Sequence, residues 1–277
     1  MYLTRLASLD GRRRTKRPRW PPLPFGTNVK VAAAEGGPYD PTSQLPLSPW
    51  SYLMRHILVA GFLVSALVPA TVFAQGGSDP DKNVKDGGVL VKGWTGRTDK
   101  STQELSSAKF APMGGGFHVT SGPPAIYWSP ENKASGSYTV KASFTQTKAP
   151  AHPEAYGVFM GGTKLDTDGQ NYLYCVVFGN GMYSVKHRYG SEVHTLVERK
   201  ASDAINKADA SGKATNEVGF TVTDDKVSCV INGTAVESFD KSDVLGDGKL
   251  ESTDGMYGIR VNHNLDVHVA GFAMTKN

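Results

Sequence analysis

The chain has 277 residues, of which 39% are hydrophobic and 20% are charged, and it contains two cysteines, 31 glycines and 16 prolines. This composition allows a folded core and excludes wholesale disorder. Two cysteines allow at most one disulfide, which excludes a small disulfide scaffold. The formal net charge is +4, but residues 1–74 carry nine Lys+Arg against three acids, while residues 75–277 carry 21 against 23. The body therefore lacks the basic stripe of a nucleic-acid-binding protein, and no nucleic-acid partner is expected.

The first 53 residues are rich in Arg and Pro and show neither helical nor strand periodicity. Two explanations stay open. Residues 1–53 are a disordered basic extension, or the start has been assigned too far upstream and the chain begins at Met54.

Residues 54–74 have the order of a signal peptide. A short positive start at Met54-Arg55-His56 is followed by an apolar run over 57–68, and small or short residues stand at Val72 and Ala74. This pattern predicts cleavage between Ala74 and Gln75 and export to the periplasm or beyond, with no membrane span left after cleavage. The alternative is a signal anchor that stays in the membrane, although the run is shorter than a full span.

After a predicted linker at 75–87, residues 88–277 are predicted to form one β domain, with hairpin turns at Asn232-Gly233 and Gly179-Asn180-Gly181. A helical turn is predicted at 201–207, where Ser202-Asp203 has capping chemistry. About twelve segments rich in β-branched and aromatic residues are predicted strands: 117–121, 125–129, 136–147, 156–161, 172–179, 181–189, 192–199, 216–223, 226–231, 234–239, 255–261 and 266–274.

Several of these segments alternate between apolar and polar residues. In the segment 136–147, Tyr138, Val140, Ala142 and Phe144 fall on one face and polar residues on the other. One buried face and one wet face are typical of an antiparallel sandwich. Many strands without a long helix predict an all-β fold, an antiparallel two-sheet jelly-roll sandwich.

The motifs of the body also resemble a known superfamily in their order and spacing. They are AYGVFMGG (155–162), QNYLY (170–174), GMYSVKHR (181–188), NEVGFTV (216–222), VING (230–233) and DGMYGIRV (254–261). In this order they resemble the concanavalin A-like lectin/glucanase superfamily, and within it the LamG-like secreted bacterial domains grouped with the 3-keto-disaccharide hydrolase domain. The resemblance covers roughly residues 110–277. It implies a concanavalin A-like sandwich, and many functions share that fold.

The paired-carboxylate mechanism of laminarinase-like members needs a Glu-x-Asp-x-x-Glu strand. The sequence has no such motif: Glu192 to Glu198 lacks the central Asp, and Glu237 to Asp240 has the wrong spacing. Serine-hydrolase, phosphate-loop and dinucleotide signatures are also missing from the sequence. Whether the chain is an enzyme therefore stays open.

The two cysteines lack zinc spacing. Cys175 and Cys229 each lie in an apolar strand, where they are either buried free thiols or a disulfide across neighbouring strands. Asp166 and Asp168 lie in an Asp/Gly loop, which is a candidate Ca²⁺ site or an ordinary turn, because the EF-hand pattern is incomplete. No other cofactor is expected.

The candidate ligand residues are polar groups on otherwise apolar strands. Lys186 and Arg188 share one face of their strand, and Arg260 and Asn262 share one face of another, followed by His263. If both strands lie in the concave sheet, their guanidinium and amide groups suit sugar hydroxyls or a carboxylate. The alternative is a set of solvated surface groups. Aromatic residues expected to offer a stacking platform, or else to lie in the core, are Tyr156, Tyr172, Tyr174 and Trp128.

Three function hypotheses follow. The first is an exported domain that binds carbohydrate or cell-envelope glycan on its concave sheet. The second, implied by the resemblance, is a hydrolase or lyase acting on 3-keto-glycosides, with His263, His268 or His152 as the base. The third is a structural or protein-interaction domain without a small ligand.

Overall fold

The computed structural model describes residues 79–277. The predicted extension, the signal peptide, its cleavage site at Ala74 and Gln75 and the first part of the linker lie outside the described residues. None of the helical segments described is long and apolar enough to cross a membrane.

The described chain forms two stacked sheets. The first, with eight strands, comprises β1 (Gly88–Val89), β3 (Lys109–Met113), β4 (Gly116–Thr120), β6 (Tyr138–Gln146), β11 (Ala214–Val222), β12 (Lys226–Ile231), β13 (Thr234–Asp240) and β15 (Asp266–Lys276). The second, with seven strands, comprises β2 (Thr95–Thr98), β5 (Ala125–Ala134), β7 (Ala155–Thr163), β8 (Asn171–Phe178), β9 (Met182–Tyr189), β10 (Glu192–Ala201) and β14 (Gly255–Val261).

The strand order is β1-β3-β4-β15-β6-β11-β12-β13 in the first sheet and β10-β9-β8-β7-β14-β5-β2 in the second. Within the described residues, the two-residue pairing of β1 with β3 is parallel and the other named strand pairs are antiparallel. The expected all-β, two-sheet jelly-roll sandwich is confirmed.

The core lies between the two sheets because alternate residues of each strand point inward. Tyr138, Val140, Ala142 and Phe144 of β6 are all buried, while intervening residues are partly or fully exposed. The hairpin predicted at Asn232-Gly233 joins β12 to β13, and both residues have positive φ, as a tight primed turn requires.

All twelve predicted strands are present, and three short strands, β1 to β3, were not predicted. The predicted helical turn at 201–207 is wrong: Ser202 Oγ accepts a hydrogen bond from the Ala204 amide within an irregular turn. The α-helix of the described chain is α1 (Lys241–Val244). Residues 79–87, predicted as linker, are held to the sandwich, for example through the Lys82 amide and Asn264 Oδ1 at 2.8 Å.

Cys175 and Cys229 form a disulfide, with their Cα atoms 6.1 Å apart. The sequence allowed this pairing but placed it between neighbouring strands. Cys175 is in β8 and Cys229 is in β12, so the bond joins the two sheets across the buried core.

Candidate functional site

The outer face of the seven-stranded sheet carries a second set of buried side chains. In β8, Leu173, Cys175 and Val177 point into the core between the sheets, so Tyr172 and Tyr174 point to the opposite face. Arg188 of β9 lies directly across from Tyr172 in the strand register, and Arg260 of β14 lies across from Ile126 of β5, which belongs to the same outer cluster. The two arginines are therefore on the outer face of one sheet, so the condition on which they were candidate ligand residues, that their two strands share a sheet, is met.

Arg188 and Arg260 meet at one carboxylate, that of Asp99. Arg188 Nη2 is 2.8 Å from Asp99 Oδ2, and Arg260 binds both carboxylate oxygens, with Nη2 2.7 Å from Oδ2. Asp99 follows β2, and its loop is held by Thr98 Oγ1, which donates to the carbonyl oxygens of Lys100 and Gln103 at 3.0 and 2.8 Å. The structure therefore brings the two predicted arginines together through a residue that was not predicted.

The three charges are buried, with side-chain exposures of 6% for Arg188, 5% for Arg260 and 18% for Asp99. Burial by itself would raise the pKa of Asp99, but the two guanidinium groups outweigh it and lower the pKa below the usual value. Asp99 therefore stays ionised and fixes both arginines.

A chain of polar contacts continues from Arg260. Asn262 Oδ1 lies 3.5 Å from Arg260 Nη2, and Asn262 Nδ2 donates to Glu154 Oε2 at 3.1 Å. Glu154 Oε1 is 2.7 Å from His263 Nε2, and His263 Nδ1 is 3.1 Å from Asp81 Oδ1. Asn262 and His263, both predicted from the sequence, thus belong to one network with the arginines.

His263 lies between two carboxylates, which determines what it can do. An ionised carboxylate only accepts hydrogen bonds, so the contacts with Glu154 and Asp81 are both satisfied when both ring nitrogens carry protons. Both ring nitrogens of His263 are therefore occupied by contacts within the network.

The aromatic side chains do not form the expected stacking platform. Tyr156 points into the core between the sheets, where its hydroxyl lies 3.4 Å from Asn216 Nδ2. Trp128, Tyr172 and Tyr174 are on the outer face as expected, but they are only 4%, 0% and 5% exposed. Rings buried to this extent offer no open face to a pyranose and instead pack beside the arginines, with Arg260 Cζ 5.3 Å from the Tyr174 ring centre.

An open cavity of about 600 Å³ lies at the Arg188 end of this face. This volume is within the usual range of small-molecule sites, roughly 300–1,000 Å³. We call it the arginine cavity; it is lined by Arg97, Asp99, Lys100, Ser101, Thr102, Asp168, Gln170, Arg188, Gly190 and Ser191.

Both arginines in this wall are held in place by other residues of the chain. Arg188 donates from Nη1 to the Ser191 carbonyl and from Nη2 to Asp99, while Arg97 donates from Nη2 to Asp168 Oδ1 at 2.6 Å. The Nε atoms of both side chains are buried and have no hydrogen-bond partner among the described residues. The two arginines therefore contribute positive charge to the cavity wall, while their Nε atoms lie beneath its surface.

The other predicted site residues lie outside this network. Lys186 shares the outer face but extends toward Glu198, with their charged atoms 4.0 Å apart. His268 is in β15 of the other sheet, directly opposite His118, and so cannot reach the arginine cavity. His152 is exposed in the loop between β6 and β7 and is not among the residues that line the arginine cavity.

The candidate calcium ligands, Asp166 and Asp168, lie in an exposed loop. Asp168 is paired with Arg97 and its side chain is 90% exposed, and Asp166 is also exposed. Within residues 79–277, no group of three or more His, Cys, Asp or Glu side chains has metal-binding geometry.

Sequence reasoning missed Asp99, Glu154, Arg97 and Asp81. All four come from loops or the short β2 strand, and each meets its partner through a contact distant in sequence; Asp99 and Arg260 are 161 positions apart. Residues Thr95 to Thr98 around Arg97 are polar and include a glycine, so their composition did not predict a strand.

No known protein family and no curated protein matches the sequence. Solved structures with a similar shape include the carbohydrate binding module CBM66 from Bacillus subtilis, with 11% identity, a TM-score of 0.47 and coverage of 66% of this chain and 96% of that one. A protein of unknown function with a galectin-like fold, also from Bacillus subtilis, has 14% identity and a TM-score of 0.47, and the match covers 67% of this chain and 90% of that one. A Bacteroides ovatus mixed-linkage glucan GH16 protein has 12% identity and a TM-score of 0.46, and the match covers 69% of this chain and 98% of that one. At these values the function must be argued from the residues of the site.

Proposed function

We propose that the chain binds carbohydrate in the arginine cavity on the outer face of the seven-stranded sheet. The observation that carries this proposal is an open polar cavity whose wall holds two arginines, Arg97 and Arg188, together with hydroxyl and amide side chains. Sugar hydroxyls supply acceptor oxygens for N–H donors and also donate to neighbouring hydroxyl and amide oxygens.

Preorganisation also favours ligand binding at this place. Asp99 holds Arg188 in one orientation before any ligand arrives, so little side-chain entropy is lost on binding. The cavity accommodates a sugar unit, and Ser101, Thr102 and Gln170 add neutral hydrogen-bonding side chains.

The test is a thermal-shift screen of the purified chain against mono- and oligosaccharides, including 3-keto sugars. A ligand at a hundredfold excess over Kd stabilises the native state by about 2.7 kcal/mol. Lys100→Ala removes an exposed cavity side chain, and Lys141→Ala on the other sheet makes the same change away from it. We expect a sugar-specific shift that Lys100→Ala reduces and Lys141→Ala retains. No shift with any sugar would favour the structural or protein-interaction hypothesis.

A hydrolase or lyase acting on 3-keto-glycosides is the second candidate, and the contact between His263 and Glu154 favours it. A carboxylate that holds an imidazole is a common acid–base arrangement. Both nitrogens of His263 face carboxylates, so one of these two contacts would have to open before the ring could exchange a proton with a substrate. Incubation with 3-keto disaccharides and product analysis tests this candidate, with His263→Gln as the variant expected to lose turnover and keep sugar binding.

We also propose that the protein is exported. The apolar run before Gln75 supports this proposal, and so does the disulfide, because such bonds persist in oxidising compartments. N-terminal sequencing of the protein recovered from the periplasm or medium should begin at Gln75. Recovery of the intact chain from the cytoplasm alone would contradict export.

A further inference from the structure

The arginine cavity carries excess positive charge. Its lining contains three cations, Arg97, Lys100 and Arg188, and two carboxylates, Asp99 and Asp168. Both carboxylates are already engaged by arginines. The ammonium group of Lys100 has no ion-pair partner among the described residues, so one full positive charge faces the cavity without compensation.

Arg260 does not line the arginine cavity, but it adds to the positive charge beside it. It shares the Asp99 carboxylate with Arg188, so one negative charge serves two guanidinium groups. The four cations and two carboxylates of the cluster leave a net charge of +2. Salt screens the charge of Lys100, which is exposed, more than that of the arginines, which are largely removed from water.

A second cavity of about 370 Å³ adjoins the first and shares Asp168, Gly190 and Ser191 with it. Its wall has the opposite charge, because Glu192 and Glu251 are added and Lys164, whose Nζ lies 2.7 Å from Glu251 Oε1, is the added cation. The two cavities together form a groove that is positive at one end and negative at the other.

The second cavity also contains an aromatic ring that is open to solvent. Tyr189, the last residue of β9, lines this cavity and is 41% exposed, in contrast to the buried rings of Trp128 and Tyr172. The ring lies nearly parallel to that of His194, with 6.4 Å between the ring centres, and its exposed part gives the cavity an apolar surface for a sugar.

We propose that this groove selects an acidic oligosaccharide, with a uronate unit in the arginine cavity and an uncharged sugar unit against Tyr189. This inference rests on the proposed carbohydrate-binding function and specifies its ligand. The uronate carboxylate lies against Lys100 and the positive charge that Arg97 and Arg188 give to the cavity wall. A second uronate is disfavoured at the neighbouring position, because its carboxylate would face Glu192 and Glu251.

The experiment compares three matched ligand sets by calorimetric titration of the full chain at pH 7. They are aldobiouronic acids, in which a uronate is joined to a neutral sugar, the same compounds after reduction of the carboxyl group, and diuronates. We expect the acid–neutral form to bind at least tenfold more tightly than its carboxyl-reduced form and more tightly than the diuronate, and to weaken as salt rises.

Two exposed variants separate the two halves of the groove. Lys100→Ala should weaken the acid–neutral ligand severalfold and the carboxyl-reduced ligand by a clearly smaller factor. Tyr189→Ala should weaken both ligands, and Lys141→Ala should change neither.

The outcomes distinguish this inference from the proposal beneath it. Equal affinity for the acidic and the carboxyl-reduced ligand would overturn the acid selectivity and leave carbohydrate binding intact. Tighter binding of the diuronate would overturn the assignment of the second position. No binding of any sugar in these sets or in the wider thermal-shift screen would overturn both.

Discussion

The disulfide between Cys175 and Cys229 gives a stability prediction that can be worked out from the structure. The bond closes a loop with a sequence separation of 54 and joins the two sheets through the core. The loss of unfolded-chain entropy for a loop of this length is worth about 4 kcal/mol at 25 °C. Breaking the bond without changing any other atom should therefore lower the free energy of unfolding by about this amount, which for a domain of this size is roughly 8–16 °C in Tm.

The assay compares the oxidised protein with the same protein in the reduced state. Both sulfur atoms are fully buried, so the reductant must be added in denaturant and the protein refolded in its presence. Urea unfolding of the two forms gives the difference in free energy. The double variant Cys175→Ala, Cys229→Ala serves as the control, because its unfolding should not respond to the reductant. Identical unfolding curves for oxidised and reduced protein, or two free thiols in the oxidised protein, would refute the reasoning.

Two further predictions concern buried ionisable groups. Asp99→Asn leaves two buried arginines without their counter-charge and should cost about 3–5 kcal/mol in urea unfolding, whereas Asp168→Asn, at an exposed ion pair, should cost less than about 1 kcal/mol. The native pKa of Asp99 is lowered, so its contribution to the free energy of unfolding is present above the unfolded pKa of about 3.9 and is lost as the pH falls through the native pKa. Asp99→Asn should therefore flatten the acid side of the plot of stability against pH. Equal slopes of this plot for the two proteins would contradict the ion-pair account. Burial and the neighbouring His194 lower the pKa of His187 to about 4, so stability should fall as the pH drops from about 6.5 toward 4, because the unfolded chain takes up the proton first. NMR titration of the His187 ring checks this directly, and a midpoint near the usual value would contradict it.

The sequence was sufficient to predict most of the fold. Alternation in Tyr138 to Phe144 and the Asn232-Gly233 turn are local signals, and both correspond to features of the structure. The missed strands lack such signals, since β2 is Thr95-Gly-Arg-Thr98 and β3 includes Pro112. Short edge strands are formed through their neighbours, and their own composition says little about them.

The site was only partly predictable, for a related reason. Arg188 and Arg260 could be chosen because a charged residue is unusual on an apolar strand. The direction of Tyr156 could not be decided, because both faces of β7 are buried and alternation then gives no inner side. The role of Asp99 could not be predicted, because its position depends on the packing of a loop against strands far away in sequence.

The most direct test of carbohydrate binding in the arginine cavity is an NMR titration that follows the arginine Nε–H resonances as an oligosaccharide from the screen is added. We predict that the signals of Arg97 and Arg188 shift with saturation, because a ligand in the cavity changes the surroundings of their guanidinium groups, while that of Arg199, which packs on Phe178 outside the cavity, stays unchanged. Saturable binding that leaves Arg97 and Arg188 unmoved would contradict the account.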